Sequence, residues 1–88
     1  MKLEAGSIVR SLAGHDADCL YVVMHAEEKF LWVSDGRLKQ AAVPKKKNRK
    51  HVEPAGRDEE LARKFAEGRT VRDEEIKRAL KLWKAYHA

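Results

Sequence analysis

The stretch "CLYVVMHAEEKFLWVSDGR" (Cys19–Arg37) decides the fold. It holds two short apolar segments rich in β-branched and aromatic residues, which favour strands. The charged "EEK" (Glu27–Lys29) between them is too short for anything but a tight turn. In "CLYVVMHA" (Cys19–Ala26), Leu20, Val22 and Met24 fall on one face of a strand, and Tyr21, Val23 and His25 on the other. Both faces are fairly apolar. One is expected to line a small barrel, and the other to be covered by a different part of the chain.

Working outward, "SIVRSLA" (Ser7–Ala13) reads as a preceding strand, with "GHDAD" (Gly14–Asp18) as its turn. Asp16 and Asp18 are expected to be solvated there. "FLWVSDGRLKQAAV" (Phe30–Val43) reads as two strands around Asp35-Gly36, since Asp-Gly between apolar runs is a hairpin signal. "KHVEP" (Lys50–Pro54) reads as a last strand that Pro54 ends. Short strands about ten residues apart predict a mainly β domain, a small barrel or sandwich.

From Arg57 the apolar period changes from two to about 3.6. Leu61 and Phe65, with Ala62 and Ala66 beside them, mark one helix that Gly68 stops. Thr70 or Asp73 is expected to cap a second, and Asp73, Glu74 and Glu75 suit its positive end. Ile76, Leu80 and Trp83 form its apolar stripe, with Lys77, Lys81 and Lys84 alongside. The closing "AYHA" (Ala85–Ala88) is expected to fray.

The chain has 88 residues, room for one small domain with a modest core. Its formal net charge is +5, and "KKKNRK" (Lys45–Lys50) alone carries that excess. So local a charge points to a polyanionic partner. Clustered lysines neutralise phosphates and release counterions, which gives affinity without sequence specificity. With a single cysteine and no apolar leader or span, the chain is expected to be cytoplasmic, with no membrane partner.

Enzymatic chemistry finds little support. His15, His25, His51 and His87 have no metal-ligand spacing with one another or with Cys19. Ser7, Ser11 and Ser34 lack a nucleophile-elbow context, and there is no phosphate-binding glycine loop. No enzyme activity, cofactor, metal or small-molecule substrate is expected.

The segment Gly6–Arg37 resembles the KOW motif, a glycine-containing strand–loop–strand of ribosomal proteins and NusG-type transcription factors. The pattern is carried by Gly6, Ile8 and Val9, then Ala13-Gly14, a polar loop, and Tyr21-Val22-Val23. "WVSDGR" followed by "VPKKKNRKH" is similar to KOW-domain proteins of the archaeal and eukaryotic large ribosomal subunit, and more so to small bacterial RNA-binding relatives. Asp18 stands where relatives usually have a glycine in the left-handed conformation, which Asp tolerates at some cost. His15 stands where relatives often have a basic residue.

The resemblance implies an SH3-like barrel over residues 1–54, followed by a helical extension over 55–88, and a ribosome-associated, translation-related role. The expected partner is structured RNA, most readily ribosomal RNA, bound by a monomer. Lys45, Lys46, Lys47, Arg49 and Lys50, on a basic loop, would contact phosphates, and Arg10, His15 and Arg37 would add contacts from the rim. Phe30 and Trp32 are expected in the core, leaving Tyr21 as a weak stacking candidate. The alternative is a protein-interaction module using the amphipathic helix that ends in Trp83 and Tyr86.

Overall fold

The computed structural model describes residues 2–87. Five strands come first: β1 (Ser7–Ser11), β2 (Leu20–Ala26), β3 (Phe30–Ser34), β4 (Lys45–Asn48) and β5 (Val52–Arg57). A one-turn 3-10 helix (Arg49–His51) links β4 to β5, and α1 (Glu59–Ala66) and α2 (Asp73–His87) follow. The strands form one antiparallel sheet in the order β4-β3-β2-β1-β5.

That order cannot lie flat. Four strand spacings would separate the edges by about 19 Å. The chain from Asn48 to Val52 has four residue steps, at most about 14 Å, and its 3-10 turn spans far less. The sheet therefore rolls until its edges approach. Irregularities at Ile8/Val9 and Val23/His25 supply extra bend. No ladder joins β4 to β5 among the described residues, so the roll is not closed.

Rolling buries one face of the sheet on itself. Val9, Tyr21, Val23, Leu31, Val33 and Val52 pack there with Leu3. The opposite face receives the helices: Ile8 and Val22 pack against Leu61, Val71, Ile76, Ala79 and Leu80, with Leu20 and Met24 at the margin. The two apolar faces of β2 are thus covered by two different layers.

Several local expectations are corrected. The Asp35-Gly36 hairpin does not form, and Leu38–Val43 is not a strand; β3 pairs instead with the lysine run, which is β4. Tertiary anchoring outweighs the turn chemistry. Gly36 has φ 73°, and a Cβ there would sit 2.5 Å from the Asp73 carbonyl oxygen. The Ala41 N–H donates to Asp73 Oδ1 at 2.7 Å. The loop is therefore moored to α2, and Asp73 serves it rather than capping the helix. Neither Thr70 nor Asp73 caps α2: the Arg72 carbonyl accepts from the Glu75 and Ile76 N–H groups, and the Glu75 carboxylate accepts from the Arg72 N–H.

Strand β5 is not ended by Pro54, as expected, but runs through it to Arg57. Pro54 is tolerated because β5 is an edge strand and Pro54 faces the register shift opposite Ile8/Val9. Helix α2 continues to His87, whose Nδ1 lies 2.8 Å from the Trp83 carbonyl and whose ring stacks on Trp83. Ala88, the last residue expected to fray, lies outside the described residues.

Candidate nucleic-acid interface

The basic run, expected as a loop, is not one: Lys45–Asn48 pairs with β3 as a strand, Arg49 and Lys50 begin the 3-10 turn, and strand geometry divides its lysines. Lys46 lies opposite Trp32 and Lys47 opposite Leu31, so their side chains point to opposite faces. Lys46 lies over the Phe30 ring, 4.1 Å from its centroid, and 5.8 Å from that of Trp32, within cation–π range. Phe30 and Trp32 are half-buried and belong to neither core cluster. Their expected core position is corrected: Leu31 and Val33, alternating with them, take the inward face.

Lys47 points inward. Its Nζ sits 2.8 Å from Asp16 Oδ2, with both side chains about nine-tenths buried. The Tyr21 hydroxyl donates to Asp16 Oδ2 at 2.7 Å, and Ser11 Oγ donates to Oδ1 at 3.0 Å. Burial by itself would raise the Asp16 carboxyl. The bonds from Lys47, Tyr21 and Ser11, with the Lys47 charge, overcome it and hold the group far below the usual carboxylate range. Burial first, and then the Asp16 carboxylate, push the Tyr21 phenol upward. This polar knot ties the Gly14–Asp18 loop to β1, β2 and β4. Asp16 is thus no solvated turn residue, and Tyr21, 1% exposed, is no stacking platform. Lys47 is committed to the knot.

Arg49 is also engaged: its Nε donates to the Glu27 carbonyl at 2.8 Å and an Nη to Leu3 at 3.4 Å. It pins the turn between β4 and β5. Lys45 and Lys50 are exposed. His15 and His51 are exposed too, and with Lys39, Lys45 and Lys46 they line an open depression of about 660 Å³. The loop that carries His15 turns through Asp18 at φ 71°, the left-handed conformation expected there.

The remaining two rim residues lie elsewhere. Arg10 and Arg37 line a second depression, about 730 Å³, between the sheet rim and α2. Arg10 makes a half-exposed ion pair with Glu53 at 3.3 Å, which constrains it weakly. Lys77, Arg78, Lys81 and Lys84 line the same space. In the sequence the lysines of α2 form one stripe with no site attached to it. The signal was their i, i+4, i+7 spacing; what was missing was the surface that the stripe faces.

The apolar stripe of α2 is covered. Ile76 and Leu80 are buried against the sheet, and Trp83 packs on Gly56, where a Cβ would collide with its indole nitrogen. Tyr86 is left exposed. Among the described residues, no three His, Cys, Asp or Glu side chains converge as metal ligands, and no helix is long and apolar enough to cross a membrane. No family model and no curated protein matches the chain.

Proposed function

We propose that this is a non-catalytic, cytoplasmic RNA-binding protein that docks as a monomer on structured RNA, ribosomal RNA foremost. The observation that carries the reading is the exposed charge held on fixed backbone around β4: Lys45 with Lys39, His15 and His51 along one depression, Lys46 on the other face of the edge strand over Phe30, and Lys50 on the turn that follows. Lysines on a paired strand, next to a loop tied down by the Asp16 knot, reach phosphates with little ordering cost. Structured RNA is recognised largely through shape, backbone and 2′-hydroxyls, which such a surface suits. In this reading the rolled five-stranded sheet is an SH3-like barrel. The likeness to the KOW motif rests on the strand–loop–strand of β1 and β2 and on the left-handed Asp18.

The site differs from the whole basic run. Lys45, Lys46 and Lys50 contact phosphates, while Lys47 and Arg49 shape the scaffold beneath them. The protein-interaction reading loses its main support, because the apolar stripe of α2 already packs on the sheet.

The test is fluorescence anisotropy with a labelled stem-loop RNA and a DNA duplex of the same sequence. The wild type is expected to prefer the RNA, with affinity falling as salt rises. Lys45→Glu/Lys46→Glu is expected to lose at least about tenfold while keeping its circular dichroism spectrum; each lost phosphate contact costs affinity in this way. RNA affinity unchanged in that variant would sink the assignment.

A further inference from the structure

We propose that α2 forms the second wall of the RNA site, and that the groove between α2 and the sheet rim holds a stretch of phosphodiester backbone. The proposal rests on the RNA-binding reading above and extends it to a surface outside the basic run.

The groove gathers six basic side chains, Arg10, Arg37, Lys77, Arg78, Lys81 and Lys84, from three separate parts of the chain. Two carboxylates line it as well, Asp18 and Asp35. Asp35 Oδ1 is already occupied by the backbone N–H groups of Arg37 and Lys39. The lining therefore has a surplus of four positive charges in a partly enclosed space of about 730 Å³.

A solvated helix face does not account for this. Like charges at i and i+4 destabilise a helix by a few tenths of a kcal/mol per pair. The helix dipole favours cations only in the last turn, which here holds Lys84 and His87 but not Lys77 or Lys81. The acids of α2 stand in its first turn, at Asp73, Glu74 and Glu75. No ion pair engages Lys77, Lys81, Lys84 or Arg37 among the described residues. The geometry that brings these cations to Arg10 and Arg37 is imposed by packing: Ile76 and Leu80 on the sheet, Gly36 against Asp73 and Lys77, and Trp83 on Gly56. A cleft whose lining carries a clear surplus of positive charge concentrates anions, and a polyanion relieves the repulsion among its cations.

The groove and the depression beside β4 share Cys19 and Asp35 in their linings. They are therefore adjacent, and backbone leaving Lys45 and Lys39 has a continuous path towards Arg37 and α2. That continuity selects RNA as the occupant over an isolated small anion.

The test compares the full-length wild type with Lys77→Gln/Lys81→Gln/Lys84→Gln and with Lys45→Gln/Lys46→Gln, using a labelled stem-loop RNA at several potassium chloride concentrations. Gln is a good helix former, so α2 is expected to persist, with circular dichroism as the check. The helix variant is expected to reduce the slope of log K against log[salt] by about 2 to 3, since each contact contributes about 0.7 to 0.9. A helix variant with the wild-type slope, while the strand variant falls, would overturn the second wall and leave the RNA reading standing. A wild type that binds no RNA would remove both. Binding of a poly-glutamate peptide that the helix variant alone loses, with the RNA slope unmoved, would give the groove to an acidic protein and overturn the proposal.

Discussion

In β4, three consecutive lysines follow one another, and the two-residue repeat of the strand sends Lys46 out over Phe30 and Lys47 in against Asp16. In α2, lysines at positions 77, 81 and 84 are scattered along the sequence, and the helical repeat collects them on one wall of a groove with Arg10 and Arg37. A dense run thus loses part of its charge to the interior, while a dilute stripe keeps all of its own on the surface. Charge clustered along a chain is not charge clustered in space, and the period of the backbone converts one into the other.

The contrast between Lys46 and Lys47 can be broken most directly by removing each charge with a side chain of similar length. Lys47→Met leaves the Asp16 carboxylate buried without its counter-charge, and breaking such a pair costs about 3 kcal/mol or more. Lys46→Met is expected to cost under about 0.5 kcal/mol, as at other surface positions. Urea midpoints of the two variants are the measurement, and equal midpoints would break the distinction.

The mooring of α2 is tested next. Gly36→Ala introduces a Cβ at φ 73° against the Asp73 carbonyl. An expected loss of about 2 kcal/mol combines the left-handed strain with the overlap. The same variant is expected to weaken RNA binding through the groove more than through β4. A variant with wild-type stability would show that the loop is not anchored there.

A smaller effect lies in acid. The folded-state pKa of Asp16 is depressed, so the knot contributes its full stability above the unfolded carboxyl value of about 4. That contribution fades as pH falls below it towards the depressed folded value. Asp16→Asn is expected to be less stable than wild type at neutral pH, with the gap narrowing below about pH 4. Thermal melts across that range check it, and a gap independent of pH would remove Asp16 as the cause.

Much of the fold was legible in the sequence. The apolar segments at Ser7–Ser11, Leu20–Ala26 and Phe30–Ser34 announced their strands, and the double-faced pattern of β2 announced two covering layers. The fourth strand was hidden, because Lys and Asn are poor strand formers by propensity. Yet Lys suits an edge strand, where its charge discourages pairing with another chain. The Asp35-Gly36 signal was locally sound and lost to a contact with Asp73, a residue 37 positions later. The site was legible in part: Lys45, Lys46 and Lys50 were visible as charge, but the inward turn of Lys47 depended on a register that only pairing with β3 fixes. The lysines of α2 were visible as a stripe, and their relation to Arg10 and Arg37 existed only once the sheet had rolled under the helix.

Docking on ribosomal RNA is tested most directly by sedimenting cell lysate through sucrose gradients at low and at high salt and following this protein. It is expected to travel with a ribosomal subunit at low salt and to return to the top of the gradient at high salt, as a largely electrostatic contact requires. A protein that stays at the top in both conditions would contradict it.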